Sequence, residues 1–472
     1  MQAKIFFGSE EVEKDEVVEI RSPYNGKVVS FYPKCDEKDT LKSLGIANEA
    51  FKSVRRVPLS QRVLWLEDVA LKLQSKRDEF AKTITDEVGK PIKFSLVEVD
   101  RCIETVKLTI SALVELNGES FNADAMPSGR SGTISYYKRV PVGVVVAITP
   151  FNFPLNLVAH KIAPALGAGN CVVLKPTPEA PLIAYKFAKL FIESEYAPKD
   201  ALSVVYGDAL VGSTLVGSDI PRVVSFTGSV PVGKKITKTA GIKKVALELG
   251  GNAATFIEKS ADLQTAAKKC AAASFYNSGQ VCISLQRIYV QDEVHDEFAR
   301  ALVEEGGALK IGDPYDRETF IGPLINDEAI TRAKSWVESA KKEGAKVLCG
   351  DNSYDRFFEP TVMGEVRDDM KIVCEEVFAP IVSLVRVKNF DEALKKINSS
   401  PYGLQYSIFT NDLSLTKRAI DEFECGGVVI NDIPTLRFDI QPYGGVKLSG
   451  VGREGPKFAL EEFTDIKSVV IC

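Results

Sequence analysis

Cys282 is the residue of this chain best placed to act as a nucleophile. It follows a polar turn that ends in Ser278 and Gly279, and an apolar, strand-like run from Ile283 to Val290 follows it. A thiol at such a junction is held rigidly and can still face a cleft, and thiolate access controls its reactivity. Taken alone, a cysteine beside apolar residues is more often a packed core thiol.

Glu248, upstream of that cysteine, has the position of a general base. The apolar run before it predicts a strand, and Gly250 and Gly251 directly after it allow the backbone to turn sharply. The carboxylate would then sit at the tip of the strand. The same pattern, LELGG, also fits an ordinary exit from a strand into a turn.

The composition is typical of a soluble globular protein with two or more domains. The chain has 472 residues, 45% of them hydrophobic and 26% charged, with a net charge of −5. No basic run predicts a nucleic-acid partner, and no apolar run reaches the length of a membrane span. The first residues turn acidic within a few positions, which excludes a secretory signal and predicts a cytoplasmic protein.

Cysteine and histidine usage argues against a metal site. The nine cysteines are scattered without a CxxC pair, and His160 and His295 are the only histidines. This pattern is typical of free thiols in a reducing compartment rather than of disulfides or zinc ligands. We therefore expect no bound metal.

The first third of the chain predicts a hairpin followed by helices. Tyr24, Asn25 and Gly26 mark a turn between two alternating strands. A helical period between residues 40 and 114 predicts three long amphipathic helices, separated by Pro58 and by a break at 89–91.

From residue 141 onward strands and helices alternate, which predicts an α/β fold. The continuous apolar run VGVVVAIT is typical of a parallel strand buried on both faces, within a doubly wound parallel sheet. The alternation restarts after Gly250 and predicts a second α/β domain. We assign a cofactor domain to 1–117 and 141–248 and a catalytic domain to 249–430. A β-hairpin arm at 118–140 and 455–472 would mediate oligomerisation as a homodimer or homotetramer, the tail strand pairing with 133–140 of its own or a neighbouring chain.

The usual glycine-rich dinucleotide fingerprint is missing. Gly167-Ala168-Gly169 is better interpreted as a helix C-cap. Polar residues instead follow several predicted strands, where open α/β sheets bind ligands and helix N-termini accept anions. These residues are Asn152, Lys175, Thr177, Gly207, Thr227, Gly228 and Ser229. Taken alone, Lys175 would be a solvated surface lysine.

Several motifs together resemble the aldehyde dehydrogenase superfamily over essentially the whole chain. They are ITPFNFPLNL, VLKPT, SFTGS, LELGGN, GQVCIS, EEVFAPI and INDIPTLRFDIQPYGGVKLSGVGREG, in this order. The resemblance implies NAD(P)-dependent oxidation of an aldehyde to a carboxylic acid through a covalent intermediate on Cys282. Asn152 and the Cys282 N–H would form the oxyanion hole, and Glu248 would activate the water that releases the acid.

The resemblance also implies a site for NAD or NADP. Lys175 would contact the adenosine ribose, Ser229 the pyrophosphate, and Glu376 with Phe378 the nicotinamide ribose. Further expected cofactor contacts are Pro150, Thr177, Gly207, Thr227, Gly228 and Gly250. Without the family, Glu376 would be a surface acid and Asn152 a turn-capping amide.

One departure from the family pattern bears on the cofactor. Pro178 stands where NAD-preferring relatives often carry a glutamate that holds the ribose hydroxyls. Without that carboxylate, Lys175 and Thr177 could bind a 2′-phosphate, so we expect NADP to be accepted. The neighbouring Glu179 leaves the preference open. Ala379 for a frequent glycine and Phe151 for a frequent tryptophan are mild changes.

The nearest branch of the family is similar to lactaldehyde dehydrogenases, through NFPLNLVAHKIAPA, GQVCIS and GGVVIND. It implies a short polar aldehyde such as lactaldehyde; a semialdehyde or a phospho-, phosphono- or sulfo-aldehyde is the alternative. The candidates for anion recognition are Arg101, Arg287 and Arg437. An arginine taken alone is more often a structural ion-pair partner than a ligand anchor. His160 is interpreted as a helix-packing residue.

Three other functions compete with this one. A relative that passes the acyl group to coenzyme A would typically lack the base, and Glu248 is present. A catalytically silent binding protein would have no reason to retain Cys282, Glu248, Asn152 and Lys175 together. A peroxide-reducing thiol would need a resolving cysteine, for which Cys270 is the nearest in sequence.

Overall fold

The computed structural model describes residues 1–472. The α-helices are α1 (Glu37–Val54), α2 (Leu59–Ser75), α3 (Arg77–Val88), α4 (Ile92–Glu115), α5 (Asn156–Gly167), α6 (Pro181–Ile192), α7 (Ala209–Gly217), α8 (Val230–Thr239), α9 (Leu263–Phe275), α10 (His295–Gly307), α11 (Asp327–Lys342), α12 (Lys371–Cys374), α13 (Phe390–Asn398), α14 (Leu413–Glu422) and α15 (Pro456–Glu462). None of these helices combines the length and the apolar character needed to cross a membrane.

The strands form two large sheets and several small ones. They are β1 (Ile5–Phe7), β2 (Glu10–Val12), β3 (Val17–Arg21), β4 (Val28–Pro33), β5 (Ser120–Asn122), β6 (Ile134–Pro141), β7 (Val144–Ile148), β8 (Cys171–Lys175), β9 (Leu202–Val204), β10 (Pro221–Thr227), β11 (Lys244–Glu248), β12 (Ala253–Ile257), β13 (Leu285–Gln291), β14 (Lys346–Cys349), β15 (Ser353–Tyr354), β16 (Phe357–Phe358), β17 (Thr361–Gly364), β18 (Ile381–Val387), β19 (Tyr402–Gly403), β20 (Gln405–Phe409), β21 (Gly427–Ile430), β22 (Val446–Lys447), β23 (Gly450–Val451) and β24 (Thr464–Ile471).

The first large sheet has the strand order β2-β1-β9-β8-β7-β10-β11-β23. Its five central strands, from β9 to β11, are parallel. The central strand β7 is almost wholly buried and contacts α1 and α5, because helices cover the two faces of the sheet. The predicted doubly wound parallel sheet is therefore confirmed.

The second large sheet has the order β14-β17-β18-β13-β12-β20-β21, with only β14 antiparallel. Alternate residues of β12 enter different hydrophobic clusters. Ile257 packs in one cluster with α9 and α10, whereas Ala254 and Phe256 pack in another with α13. A strand can divide its residues in this way because successive side chains point to opposite faces. The predicted second α/β unit is confirmed, while the predicted domain boundaries stay a prediction.

The tail strand β24 pairs with β6 of its own chain, from Thr464 opposite Pro141 to Ile471 opposite Ile134. Together with β5 these strands form a three-stranded antiparallel sheet in which β24 and β5 are the edges. The sequence left open whether β24 would pair within the chain or with a neighbour. Pairing within the chain is what the structure contains.

Two predicted element boundaries are wrong. The helical segment after Pro58 is divided into α2 and α3 at Lys76, whose φ of −109° and ψ of 17° are not helical. Arg77, the first residue of α3, binds both carboxylate oxygens of Asp100 on α4 at 2.5 and 2.6 Å. This tertiary contact has no local sequence signal. The strand expected directly after Cys282 begins only at β13, because the Ser284 N–H donates to the Val281 carbonyl and keeps the thiol in a turn.

A buried glutamate, Glu98, fixes the start of the helix that follows β7 in the first sheet. Glu98 Oε1 accepts hydrogen bonds from the N–H groups of Leu155 and Asn156 at the start of α5, and its other oxygen pairs with the buried Lys90. A carboxylate at a helix N-terminus satisfies free N–H groups and complements the helix dipole. Glu98 thereby fixes the segment between β7 and α5, which carries Asn152.

Candidate active site

One cavity of about 800 Å³ opens at the carboxyl ends of β7, β10 and β11 and reaches the turn before β13. Most of the predicted site residues line it. These are Pro150, Asn152, Thr177, Thr227, Gly228, Ser229, Glu248, Gly250, Cys282, Glu376 and Phe378. Lys175 and Gly207 lie outside this lining. The polar residues that follow separate strands in the sequence therefore converge, as expected for an open α/β sheet.

Cys282 is half-buried at the floor of this cavity. Burial raises the pKa of its thiol to about 12, and the side chains of Glu376 and Glu248 act in the same direction. The sulfur has one hydrogen-bond partner, the hydroxyl of Tyr443, at 3.1 Å. The resting residue is therefore a neutral thiol, and a thiolate at this position needs stabilisation from its surroundings.

Tyr443 is in turn covered by Arg437, whose guanidinium carbon lies 3.7 Å from the centre of the phenol ring. Arg437 is itself held between two carboxylates, 3.3 Å from Asp439 and 3.6 Å from Glu454. Asp439 also binds Arg101 through both oxygens, at 3.0 and 2.7 Å. Opposite charges thus alternate around the thiol end of the cavity.

Glu248 lies at the tip of β11, as the sequence predicts, and its Oε2 atom is buried without a hydrogen-bond partner. Burial and the charge of Glu454 raise its pKa well above the usual range, whereas the nearby cations Lys161 and Arg437 oppose this rise. Lys161 Nζ donates to Glu454 at 2.9 Å. Against the effect of burial, Lys161 and other cations lower the pKa of Glu454 to about 2. The pKa values of the two glutamates are therefore shifted in opposite directions although both lie in the same surroundings.

Two hydrogen-bond donors are available near the sulfur. Asn152 Nδ2 donates one hydrogen bond, to the Gln280 carbonyl at 3.0 Å, and its amide retains a second N–H. The backbone N–H of Cys282 donates to no group in the protein. Gly251 is required below this turn, since a Cβ there would lie 2.2 Å from the Cys282 carbonyl oxygen. The pair of donors can bind an oxygen that carries negative charge.

The other end of the cavity has open polar groups that fit a dinucleotide. Thr227 Oγ1 is buried without a partner, and Ser229, the N-cap of α8, makes no side-chain capping bond. The first turn of α8 therefore has N–H groups free to bind a phosphate. Glu376 accepts a hydrogen bond from the Gly251 N–H at 2.9 Å, and burial raises its pKa to about 7.

The residues expected to contact the adenosine, Lys175, Thr177 and Gly207, differ in their neighbours. Lys175 is 8% exposed and runs past Gly212 of α7, and burial lowers its pKa. The Thr177 hydroxyl donates to the carboxylate of Glu179, which lines the cavity. Gly207 has a φ of +153°, and a Cβ there would lie 2.5 Å from Val211. A carboxylate therefore faces the place where a ribose is expected, one position after Pro178.

A family model described as the aldehyde dehydrogenase family matches residues 10–469. The chain belongs to the aldehyde dehydrogenase family. It is 40% identical over 458 residues to a lactaldehyde dehydrogenase of Methanococcus aeolicus, covering 96% of this chain and 97% of the relative. It is 41% identical over 457 residues to a 3-sulfolactaldehyde dehydrogenase of Priestia aryabhattai, covering 97% and 95%.

A solved structure agrees with this membership. The glyceraldehyde-3-phosphate dehydrogenase of Methanocaldococcus jannaschii, complexed with NADP, matches with a TM-score of 0.93 at 37% identity, covering 98% of this chain and 100% of that one. The predicted family, the α/β fold and the class of NAD(P)-dependent aldehyde-oxidising enzyme are confirmed. The roles of individual site residues stay predictions.

The three candidate arginines of this aldehyde dehydrogenase differ in whether they line the cavity. Arg287 is 3% exposed and lies outside the cavity lining, where its guanidinium holds the Asn252 carbonyl at 2.8 and 3.2 Å. Arg101 and Arg437 both line the cavity. Arg287 is therefore a structural residue, and the other two remain able to meet a substrate.

Sequence reasoning missed four residues of the thiol end: Tyr443, Asp439, Glu454 and Lys161. Three of them, Asp439, Tyr443 and Glu454, belong to the motif INDIPTLRFDIQPYGGVKLSGVGREG. That motif was the signal from which their position near the site could have been predicted. Lys161 lies on α5, within the motif NFPLNLVAHKIAPA that indicates the branch of the family. His160, the neighbouring residue, is buried and contacts Asp439 at 3.2 Å, in agreement with a packing role.

Proposed function

We propose that this aldehyde dehydrogenase oxidises a short polar aldehyde to its carboxylic acid through a covalent intermediate on Cys282. The observation that carries the proposal is the convergence of three groups on one cavity: the thiol of Cys282, the amide of Asn152 and the carboxyl group of Glu248. A nucleophile, an oxyanion donor and a base are the groups that a two-step acyl transfer needs.

In the first step the Cys282 thiolate attacks the carbonyl carbon and forms a thiohemiacetal. Negative charge then collects on the former carbonyl oxygen, where the Asn152 amide and the free Cys282 N–H are available to donate. Bound NAD or NADP supplies the acceptor for the hydride that leaves this carbon. Thr227, Ser229 and Glu376 are the residues with open polar groups that would hold the cofactor.

In the second step Glu248 takes a proton from the water that hydrolyses the thioester. Its unpartnered Oε2 atom leaves one oxygen available for that water. Glu248 must be ionised to act as the base; burial and the charge of Glu454 oppose this and raise its pKa well above the usual range, while Lys161 and Arg437 partly offset them. Hydrolysis should therefore become faster as the pH rises through the raised pKa of Glu248.

For the cofactor, we propose that NADP is accepted together with NAD. Pro178 removes the carboxylate expected at that position, and the positively charged Lys175 lies nearby. The relative from Methanocaldococcus jannaschii is complexed with NADP, which supports the same choice. Glu179 opposes it, because a carboxylate facing the cavity repels a 2′-phosphate.

For the substrate, lactaldehyde is the first candidate, since the relative from Methanococcus aeolicus is a lactaldehyde dehydrogenase. An aldehyde with an anionic group is the second, favoured by the two cavity-lining arginines, Arg101 and Arg437. The sulfolactaldehyde and glyceraldehyde-3-phosphate dehydrogenases among the relatives support it as well. Each arginine already pairs with Asp439, so an anion would have to compete with that carboxylate.

We further propose a cytoplasmic homodimer or homotetramer. All nine cysteines are free of disulfides, which suits a reducing compartment. Three apolar residues of the edge strand β24 are exposed over at least half of their surface: Ile466 at 61%, Val470 at 60% and Ile471 at 50%. Exposed apolar edge strands are places where a second chain can add. A monomeric mass by light scattering would contradict the assembly.

The decisive experiment measures initial rates with lactaldehyde, succinic semialdehyde, glyceraldehyde 3-phosphate, 3-sulfolactaldehyde and propanal, each with NAD and with NADP. Cys282→Ala is the inactive comparison and Cys270→Ala, a fully buried thiol in a different hydrophobic cluster, is the matched control. We expect turnover that only Cys282→Ala abolishes, with one preferred substrate. Absence of turnover that coenzyme A restores would instead indicate the acylating reaction.

A further inference from the structure

The hydroxyl of Tyr443 and the sulfur of Cys282 form an isolated pair. Tyr443 is 7% exposed, and its Oη atom has no hydrogen-bond partner other than Sγ. The sulfur likewise has no other polar side chain within hydrogen-bond distance. The backbone around the phenol is fixed, because the Tyr443 N–H and the Glu454 N–H each donate to the carbonyl of the other residue.

The ring of Tyr443 is also clamped from one side by Arg437. The guanidinium carbon lies 3.7 Å from the ring centre, which is well within the range of a cation–π contact. Arg437 cannot move freely over the ring, since Asp439 and Glu454 flank it and His160 lies 3.3 Å from one of its terminal nitrogens. A fixed positive charge on the ring face makes the phenol a stronger hydrogen-bond donor.

The direction of the hydrogen bond depends on the state of the sulfur. A neutral thiol can donate or accept, but a thiolate has no proton and can only accept. Once the thiol proton has passed to the water of the cavity, the Tyr443 O–H must therefore be the donor. The charged groups that face the sulfur are Glu248, Glu376 and Arg437. The two carboxyl groups disfavour a thiolate, so a donor is needed to offset them.

We propose that Tyr443 is a catalytic residue that donates a hydrogen bond to the Cys282 thiolate, and that Arg437 is a positioning residue that strengthens this donation through the ring. This inference deepens the proposed function and rests on Cys282 being its nucleophile. The same bond would hold the sulfur as the leaving group when the thioester breaks down. A charge-assisted bond of this kind exceeds a neutral one in strength.

The test is the pH dependence of Cys282 alkylation by iodoacetamide in the absence of aldehyde and cofactor. Mass spectrometry of the peptide that contains Cys282 separates its reaction from that of the other cysteines. We expect Tyr443→Phe to raise the midpoint of the profile by about one pH unit and to slow alkylation near neutral pH about tenfold. A midpoint equal to that of the wild type would overturn the role of Tyr443.

Tyr276→Phe is the matched control, because it removes the same atom from another tyrosine of the same cavity. Tyr276 packs against Phe94 and Phe153, and its hydroxyl makes no hydrogen bond in the protein. Its alkylation profile should coincide with that of the wild type. A shift of equal size in Tyr276→Phe would show that any lost hydroxyl has the same effect, and would overturn the inference.

Arg437→Gln is the second variant and leaves the Tyr443 hydroxyl in place. It should also raise the alkylation midpoint, and Arg437→Lys, which keeps the charge, should recover part of the change. In the Tyr443→Phe background the effect of Arg437→Gln should be largely lost, since residues that act through one another are not additive. Equal effects in both backgrounds would overturn the action of Arg437 through the ring.

Alkylation requires no turnover, so this result is separable from the outcome of the substrate panel. A shifted profile in Tyr443→Phe with no oxidation of any aldehyde would contradict the proposed function and retain the hydrogen bond. Turnover that depends on Cys282 with an unshifted profile would do the reverse.

Discussion

The two ends of the active-site cavity differ in how their polar groups are satisfied. At the thiol end, carboxylates and cations from distant parts of the chain pair with one another around Cys282, as in the pairs of Lys161 with Glu454 and Arg101 with Asp439. At the cofactor end, Thr227 Oγ1 has no partner and the first turn of α8 is uncapped by its serine. The thiol end is built around charge pairs, with Glu248 Oε2 left open among them, and the cofactor end around open hydroxyl and N–H groups.

This difference shows which properties the protein supplies itself. The paired charges surround Glu248, Tyr443 and the thiol in the free protein, so the pKa values of these groups are already shifted before any substrate arrives. The open groups gain their partners only from a bound ligand. A substitution at the thiol end should therefore change rates and pH profiles, whereas one at the cofactor end should change cofactor choice and the stability of the free protein.

The largest effect is expected from Glu248→Gln at the thiol end. Without the base, hydrolysis of the thioester should slow about a thousandfold, while the first step still produces one reduced cofactor per site. Rapid-mixing measurements should show this burst followed by very slow turnover. Cys282→Ala should show no burst, and a missing burst in Glu248→Gln would mean that the glutamate acts before hydride transfer.

Glu454→Gln should move the pH dependence of the hydrolysis step. The charge of Glu454 contributes to the raised pKa of Glu248, so its removal lowers that pKa and leaves Lys161 free to lower it further. Because the base must be ionised, the rate rises with pH through this pKa. We expect the rising limb of the kcat profile to shift to lower pH by about one unit. A rising limb at the same pH as in the wild type would mean that the charge of Glu454 does not influence the pKa of Glu248.

At the cofactor end, Glu179→Gln should change the choice between NADP and NAD. The substitution removes a negative charge from the cavity but retains a side-chain oxygen for the Thr177 hydroxyl. The ratio of kcat/KM for NADP to that for NAD should increase about fivefold, mostly through KM. Lys175→Met is the opposite control and should lower the same ratio. A ratio unaffected by Glu179→Gln would place the 2′-position elsewhere.

The smallest effect concerns the stability of the free protein. Burial raises the pKa of Glu376 from 4.5 to about 7. The folded protein therefore favours the protonated form, and this contribution to stability is present below pH 4.5 and lost as the pH rises through 7. Glu376→Gln should melt about 2 °C higher than the wild type at pH 8, with a smaller difference at pH 5. Thermal unfolding without cofactor measures it, and a constant difference would refute the burial of an ionised carboxylate.

The cofactor end was the more predictable of the two from sequence. Its residues follow strands directly, so a local pattern such as Thr227-Gly228-Ser229 indicates both the strand end and the helix start. The thiol end depends on pairs such as Lys161 with Glu454, which lie far apart in the chain. Each of the two belongs to a motif of the family, but no periodicity indicates that their side chains meet, and only the fold brings them together.

The boundaries of helices and strands likewise divide into those with a local sequence signal and those without one. Glycines, prolines and apolar runs predicted β7 and the hairpin turn at Gly26, whereas the choice between pairing of β24 within the chain and with a neighbour stayed open until the structure. The break at Lys76 lies beside an ion pair between Arg77 and Asp100 on another helix, a contact that no local pattern predicts. Local sequence patterns describe local preferences, and tertiary contacts decide where these conflict.

The segment from Arg437 to Glu454 has a consequence for how the enzyme is made. It contributes Tyr443 to the sulfur and adds β23 beside Glu248 at the edge of the first sheet. Every strand of the two large sheets except β23 precedes this segment in the chain, so synthesis from the N-terminus delivers the segment after them. A nascent chain can thus build its scaffold while its thiol still lacks the tyrosine donor. A chain that stops before residue 437 would lack both Arg437 and Tyr443, and Cys282 would then have no hydrogen-bond partner for its sulfur.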